Sequence, residues 1–134
     1  MGKQSWKPGN MLYPLPVVLV SSADKKGEKN VFTVAWAGTV CSDPPMVSIS
    51  VRPERHSYHM IKETGEFVIN LTTEKLAYAT DYCGVVSGRD VDKFEKAHLT
   101  PVRVLFPETY KRHGNKQSDA YFPDETYSCR PYIL

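Results

Sequence analysis

The segment 46–52 alternates between apolar and polar residues with a period of two, and this alternation constrains the fold more than any other feature. The two sets are Val47, Ile49 and Val51 against Ser48, Ser50 and Arg52. Such a pattern predicts a half-buried β-strand whose apolar set faces the core and whose polar set faces water or a polar ligand. Pro44 and Pro45 precede the strand, and a proline disfavours helix in the residue before it. Pro53 ends the strand.

The first half of the chain carries further strand signals. Branched and aromatic residues fill 15–21 and 30–40, and the polar sequence 24–27 between them predicts a hairpin. A strand is also predicted over 66–71, with Phe67 and Ile69 on one face, and a less regular one over 99–105. These elements favour a mainly β protein.

Short helices are predicted between the later strands. The first covers 57–64 and ends at Gly65, a residue type that often terminates helices in the left-handed conformation. The second covers 73–82, with Thr73 as its N-cap and Gly84 after its end, and Leu76 and Ala79 on one side. The third covers 90–97 and is capped by Asp90. No comparable period is found over 102–134, so this stretch is predicted to be a tail distinct from 1–101.

Composition limits the classes of partner. The 134 residues suffice for one domain, and a net charge of +2 gives no indication of nucleic acid or of an acidic membrane face. No apolar run approaches the ~18 residues that a membrane-spanning helix needs, so a cytoplasmic protein is expected. Cys41, Cys83 and Cys129 are odd in number and widely spaced, which favours three reduced thiols over a disulfide framework or a zinc site.

The segment 50–57 is the first candidate site. A strand ends there, proline interrupts the chain, and a helix begins with Arg55 and Ser57 in or beside its first turn. Free N–H groups and the helix dipole favour an anion at such a position, and arginine adds bidentate contacts to phosphate oxygens. The alternative is a solvated turn in which Ser57 is an ordinary cap.

A second candidate lies in 30–40, where Thr33 and Trp36 could flank a flat aromatic ligand. The alternative is that Trp36 belongs to the core or to an interface. Cys41 follows, either as an inert small residue or as a thiol that tunes a neighbouring redox group. His56 and His59 are three residues apart, but no third ligand is nearby, so surface histidines are favoured over a metal site. Neither a dinucleotide-binding glycine motif nor a phosphate loop occurs.

Five segments together resemble the flavin reductase-like family, the FMN-binding split barrels that include flavoredoxins. They are TVAWAG (33–38), CSDPPMVSISV (41–51), RPERHS (52–57), GEFVINL (65–71) and SGRDVDKF (87–94). The resemblance spans about 5–101 and implies a six-stranded antiparallel Greek-key split β-barrel with short helices. It also implies a homodimer with the flavin near the dimer interface. The tail 102–134 matches none of the strands that complete such barrels, so an incomplete barrel is one expectation.

Carried over by position, the resemblance implies three groups of cofactor-binding residues. Thr33, Val34, Ala35 and Trp36 would line the isoalloxazine ring, Ser50, Val51 and Arg52 the ribityl chain or ring edge, and Arg55, His56 and Ser57 the phosphate. Asn70 and Lys93 are weaker carry-overs. No catalytic acid, base or metal is implied.

The implied activity is that of an FMN-dependent NAD(P)H oxidoreductase, in which a nicotinamide reduces the flavin and the flavin reduces an acceptor. Neither the nicotinamide nor the acceptor is identified by the sequence. Two other functions stay open: a flavin-binding electron carrier that does not react with nicotinamide, and a degenerate domain without a cofactor.

Overall fold

Antiparallel strands and three short helices make up the described part of the chain. The computed structural model describes residues 2–10, 12–43 and 45–102, together with the backbone of two short strands near the end. The strands are β1 (Val18–Ala23), β2 (Lys29–Val34), β3 (Ala37–Ser42), β4 (Pro45–Ile49), β5 (Val68–Leu71), β6 (Ala120–Phe122) and β7 (Glu125–Tyr127). The helices are α1 (His56–Thr64), α2 (Ala77–Val85) and α3 (Lys93–Lys96), and a 3-10 turn, Glu74–Leu76, precedes α2.

The first sheet has the order β2-β1-β5, with both pairings antiparallel. β1 and β2 form the predicted hairpin, although β1 begins three residues later than 15. The Asp24 carboxylate accepts hydrogen bonds from the backbone N–H groups of Lys26 and Glu28, both at 2.8 Å. Gly27 has a φ of 91°, which closes the polar turn at little conformational cost.

The prediction of one strand over 30–40 is wrong, because β2 ends at Val34 and β3 begins at Ala37. β2 pairs with β1, whereas β3 pairs with β4 in a separate two-stranded sheet. The chain bends at Ala35 and Trp36 to pass from one sheet to the other. Local composition could not reveal this break, since both halves have strand-forming residues.

The alternation of 46–52 gives the predicted faces. Ile49 is buried, and Val47 and Val51 pack against the same apolar cluster, while Ser50 and Arg52 are exposed. Regular pairing ends at Ile49, three residues earlier than predicted.

Two apolar clusters lie on opposite faces of the first sheet. One lies towards α1 and β4 and includes the predicted Phe67 and Ile69; its buried members are Val18, Val20, Phe32, Val34, Ile49, Ile61 and Phe67. The other lies towards α2 and α3; its buried members are Leu19, Val31, Ala79, Cys83, Phe94 and Ala97. Both faces of the sheet are therefore covered.

The first predicted helix is confirmed, with a different cap. Gly65 follows α1 with a φ of 68°, and its N–H donates to the Ile61 carbonyl at 2.7 Å. The N-cap is Arg55 and no side chain caps the helix, so the alternative role of Ser57 as a cap is wrong. Ser57 lies inside the first turn, where its hydroxyl has another partner.

The other helices differ from prediction at their ends. Thr73 occupies the N-cap position of the 3-10 turn without a side-chain hydrogen bond, and Gly84 lies inside α2 rather than after it. Asp92, not Asp90, caps α3: its carboxylate accepts from the N–H groups of Phe94 at 2.8 Å and Glu95 at 3.2 Å. The helix is consequently shorter than 90–97.

The predicted strand 99–105 is absent over residues 99–102, and 103–105 lie outside the described residues. Most of the predicted tail also lies outside them. Its two described strands, β6 and β7, pair antiparallel. None of the helices in the described residues has both the length and the apolar character that a bilayer crossing requires.

Candidate functional site

The N-terminus of α1 is formed by a tight turn after β4. Arg55 N–H donates to the Arg52 carbonyl, and Tyr58 N–H donates to the Arg55 carbonyl, both at 3.0 Å. Because the helix has no side-chain cap, the first-turn N–H groups of His56 and Ser57 lack the side-chain acceptor that such groups usually have. These groups and the helix dipole favour an anion at this end.

Ser57 adds a buried hydroxyl to this helix end. Only 1% of the residue is exposed, and its Oγ accepts a hydrogen bond from Asn30 Nδ2 at 2.9 Å. The hydroxyl hydrogen has no acceptor among the described residues. A helical Cα–Cβ bond leans towards the N-terminus, so the Cβ of Ser57 is tilted to the side where an anion would lie.

A second segment, the loop 86–92, packs against this helix end. Arg89 Nη2 donates to the Glu54 carbonyl at 2.9 Å, immediately before the N-cap. Gly88 lies so close to Asn30 that a Cβ on the glycine would be 2.2 Å from Asn30 Oδ1. The loop therefore contacts the turn before α1 and also β2, whose Asn30 is hydrogen-bonded to Ser57.

Lys93 follows this loop and is 4% exposed. Its ammonium group donates to the Cys83 carbonyl at 2.8 Å, near the end of α2. Burial lowers the pKa of Lys93, the neighbouring Cys83 thiol opposes that shift, and the positive charge of Arg55 lowers the pKa further. The positive charge of Arg55 therefore disfavours the protonated form of Lys93.

Three cations are associated with this helix end: Arg55 is the N-cap, Arg89 contacts the residue before it, and the charge of Arg55 acts on Lys93. No ion pair between these three and a carboxylate is found among the described residues. An ion pair joins His56 Nε2 to Glu28 Oε1 at 2.9 Å. A phosphate fits this arrangement: it would neutralise the repulsion, accept from the free N–H groups, and give the Ser57 hydroxyl an acceptor. The ring of His56, also predicted to bind phosphate, is hydrogen-bonded to Glu28.

The predicted isoalloxazine and ribityl segments are adjacent in the structure. Ser50 N–H donates to the Trp36 carbonyl at 2.9 Å, and Ala37 pairs with Ile49. Trp36 is 57% exposed, so its indole is available to a flat ligand. This surface continues through Val51 and Arg52 to the α1 N-terminus.

The other predicted ring contacts differ among themselves. The Val34 side chain is buried in the core, so only its backbone is available, and Ala35 is half-buried at the bend. Thr33 points towards α2, where its hydroxyl donates to the Thr80 carbonyl and its side chain packs on Gly84. Thr33 lies in a shallow cleft of about 450 Å³ beside α2, which does not include the α1 N-terminus.

Asn70 is separate from the rest of the predicted site. Its amide is buried and donates to the Leu19 carbonyl at 3.0 Å and to Ser21 Oγ at 3.3 Å. These bonds tie β5 to β1 across the sheet, which gives Asn70 a structural role.

Three residues of the site were missed in the sequence: Asn30, Gly88 and Arg89. Asn30 is a polar residue at the start of an apolar strand, a signal that a buried partner exists. Gly88 and Arg89 lie in a loop whose contacts depend on distant segments.

Cys41 and Cys83 are free thiols; Cys129 lies outside the described residues. Cys41 is half-buried, and its Sγ donates to the Asp43 carbonyl at 3.3 Å. Burial raises the pKa of Cys83, an effect that Lys93 partly offsets. The described residues hold no group of three or more His, Cys, Asp or Glu side chains suited to a metal ion.

Comparison with known proteins identifies the family. The family model of the flavin reductase-like domain matches residues 10–113, so the chain belongs to the flavin reductase-like domain family. An uncharacterised protein of Archaeoglobus fulgidus is 34% identical over 91 residues, covering 68% of this chain and 50% of that protein. The chain spans between 35% and 64% of the length of five curated relatives that it matches.

Solved structures agree in fold. Flavoredoxin of Desulfovibrio vulgaris (Miyazaki F) superimposes with a TM-score of 0.69 at 36% identity, covering 75% of this chain and 55% of that one. Flavoredoxin from Methanosarcina acetivorans gives 0.60 at 33% identity, covering 68% and 50%. An FMN-binding domain of a flavin reductase-like enzyme from Shewanella baltica gives 0.63 at 26% identity, covering 67% and 47%. The described strands do not close a barrel, but the fold is that of the flavin reductase-like split barrels, as predicted.

Proposed function

We propose that this chain binds FMN, with the flavin phosphate at the N-terminus of α1, and uses it to transfer reducing equivalents from NAD(P)H to an acceptor. One observation carries the proposal: at the uncapped N-terminus of α1 the buried Ser57 hydroxyl has no acceptor among the described residues, and the charge of Arg55 acts on the buried ammonium group of Lys93. We use the term anion site for the first-turn N–H groups of α1, Ser57 Oγ, Arg55 and Lys93.

The chain's own groups have distinct tasks in this proposal. The anion site would hold the phosphate, with charge from Arg55 and Lys93 and a directed donor from Ser57. Ser50, Val51 and Arg52 would lie along the ribityl chain, and the exposed Trp36 indole beside the ring. The bound flavin would supply the two-electron redox chemistry, which these side chains do not provide themselves.

The similar structures support flavin chemistry. The Shewanella baltica protein is described as an FMN-binding domain of a flavin reductase-like enzyme, and two others are flavoredoxins. NAD(P)H as the electron donor and the identity of the acceptor are proposals from the family resemblance. Reduction by nicotinamide requires no acid–base pair in the protein, which is compatible with the residues of this site.

A homodimer is part of the proposal. In β3 and its flanking bend, Trp36 and Val40 are 57% and 55% exposed, and a second copy would cover them next to the ring-binding segment. The cytoplasmic location remains a prediction from the sequence.

The proposal is tested by measuring flavin affinity with FMN and riboflavin, which differ by the phosphate. Arg55→Ala should weaken FMN binding by about 1–3 kcal/mol, the scale of a hydrogen bond to a charged group, and leave riboflavin binding unchanged. Lys25→Ala, which removes a charge from the β1–β2 turn, is the matched control and should bind both flavins as the wild type does.

Wild-type protein that neither becomes yellow nor quenches FMN fluorescence would refute the proposed cofactor and favour the degenerate domain. Anaerobic mixing of the flavin-loaded protein with NADH or NADPH separates the other two functions. Rapid bleaching supports the oxidoreductase, and persistence of the flavin bands supports a carrier that another protein reduces.

A further inference from the structure

We infer that Gly88 and Arg89 are the positioning residues of the anion site: together they fasten the loop 86–92 to β2 and to the turn before α1, and so set the position of Lys93 relative to Arg55. The inference rests on the proposed function in that it concerns binding of the flavin phosphate. Neither residue needs to touch that phosphate.

Arg89 acts on a single peptide unit. Its guanidinium donates to the Glu54 carbonyl at 2.9 Å, and the N–H of the same peptide, that of Arg55, donates to the Arg52 carbonyl at 3.0 Å. Both ends of the Glu54–Arg55 peptide are therefore bonded. The orientation of the Arg55 Cα, and with it the direction in which its side chain leaves the helix, follows from this peptide plane.

Gly88 determines how closely the loop 86–92 can approach Asn30 of β2. A Cβ at this position would lie 2.2 Å from Asn30 Oδ1 and 2.7 Å from Asn30 Cγ. Asn30 has little freedom to move aside, because it is 4% exposed and its Nδ2 is bonded to Ser57 Oγ. Any larger residue would push the loop away from α1 or break the bond to Ser57.

The loop leads directly into Lys93, since Asp92 is the N-cap of α3 and Lys93 its first residue. Fixing the loop therefore fixes how near Lys93 comes to Arg55. Like charges repel each other, so in the absence of an anion the loop must hold Lys93 against the unfavourable charge of Arg55. Holding them in place lowers the cost of organising the site when a phosphate binds.

The test measures dissociation constants for FMN and riboflavin in Arg89→Ala, Arg89→Lys and Gly88→Ala. Arg89→Ala should weaken FMN binding about tenfold, as expected for losing one hydrogen bond to a charged group, and leave riboflavin binding within about twofold. Arg89→Lys should restore little, because an ammonium group lacks the guanidinium geometry. Lys96→Ala, which removes an exposed charge from α3, is the control and should match the wild type.

Three results would overturn the inference: unchanged FMN affinity in Arg89→Ala, an equal loss for FMN and riboflavin, or full rescue by Arg89→Lys. The second would indicate general destabilisation and the third a role for charge alone. Gly88→Ala should also lose preference for FMN over riboflavin. Because Arg89 is exposed, its variants test the inference even if Gly88→Ala does not fold.

A titration of the flavin-free protein with inorganic phosphate, followed by the amide NMR signals of His56 and Ser57, separates this inference from the proposed function. In one outcome the wild type fails to bind FMN while inorganic phosphate still shifts these amide signals. If those signal shifts are smaller in Arg89→Ala, the inference is supported and the proposed cofactor is refuted. Absence of both FMN and phosphate binding would overturn both.

Discussion

Asn30 Nδ2 donates a hydrogen bond to Ser57 Oγ over 2.9 Å in the interior of the protein, where both residues are less than 5% exposed. An amide nitrogen can only donate, so the serine oxygen must accept and its own hydrogen must point elsewhere. One contact thus joins β2 to α1 and leaves the Ser57 hydroxyl hydrogen for a different acceptor.

Ser57→Ala should lower the free energy of unfolding by about 1–3 kcal/mol, because the buried amide of Asn30 then loses its partner. Urea unfolding measures this change. FMN affinity should also fall, since the hydroxyl donor to the phosphate is lost. Riboflavin affinity should change much less.

The double variant Asn30→Ala/Ser57→Ala tests whether the two residues act through each other. If they do, the two stability losses should be non-additive by at least about 0.5 kcal/mol, as is usual for residues in direct contact. Ser42→Ala, at an exposed serine, should change stability little. Strictly additive losses would show that the hydrogen bond does not couple Asn30 to Ser57 in solution.

Phe67 directly precedes β5 and Leu71 is its last residue, so the two provide a matched pair of buried and exposed apolar side chains. Phe67 is 2% exposed in the cluster beneath α1, whereas Leu71 is 63% exposed. Phe67→Ala should lower stability by about 3–5 kcal/mol through loss of apolar burial and creation of a cavity. Leu71→Ala should stay within about 0.5 kcal/mol of the wild type, as for most surface substitutions. Similar losses for both variants in urea unfolding would contradict the observed burial.

Local signals in the sequence were sufficient for the elements that depend on neighbouring residues. The faces of 46–52 followed from alternation, and the end of α1 followed from Gly65. The resemblance also named Arg55 and Ser57 as phosphate-binding residues and Lys93 as a weaker carry-over. In the structure Arg55 is the N-cap of α1, Ser57 lies in its first turn, and the charge of Arg55 acts on Lys93.

Features that depend on distant partners could not be predicted in this way. The bend at Ala35 and Trp36 exists because β2 and β3 join different sheets, although both have strand-forming sequences. Asp90 and Asp92 have the same side chain and are equally suited to cap a helix. Asp92 is the N-cap of α3 because of the path that the loop takes. Likewise, the contact of Gly88 with Asn30 joins residues far apart in the chain.

Gly65 and Gly38 test the backbone argument for the end of α1. Gly65 has a φ of 68°, a conformation that costs an L-residue about 1–2 kcal/mol, so Gly65→Ala should destabilise by that amount. Gly65→Asn should lose less, because asparagine tolerates this conformation better. A Cβ on Gly38 would meet nothing within 4 Å, so Gly38→Ala should be neutral or slightly stabilising. Equal thermal midpoints for the two alanine variants would refute the cap assignment.

Lys93 and Cys83 should give stability opposite dependences on alkaline pH. Burial lowers the pKa of Lys93, so the unfolded chain binds more protons than the folded one between that lowered pKa and the ordinary value of about 10.4. Stability contributed by Lys93 therefore rises with pH across this window. Burial raises the pKa of Cys83, so the unfolded chain releases the thiol proton first, and stability falls as pH rises above about 8.5.

Urea unfolding of the flavin-free protein from pH 7 to 10.5 separates the two contributions. In Cys83→Ala the fall due to the thiol is removed, so the free energy of unfolding should increase relative to wild type as pH rises. In Lys93→Met the gain due to the ammonium group is removed, so the free energy of unfolding should decrease relative to wild type as pH rises. Parallel profiles for all three proteins would show that neither group is buried in solution as it is in the structure.

The same titration of Lys93 should weaken FMN binding at alkaline pH, because loss of its proton removes one of the cations that hold the phosphate.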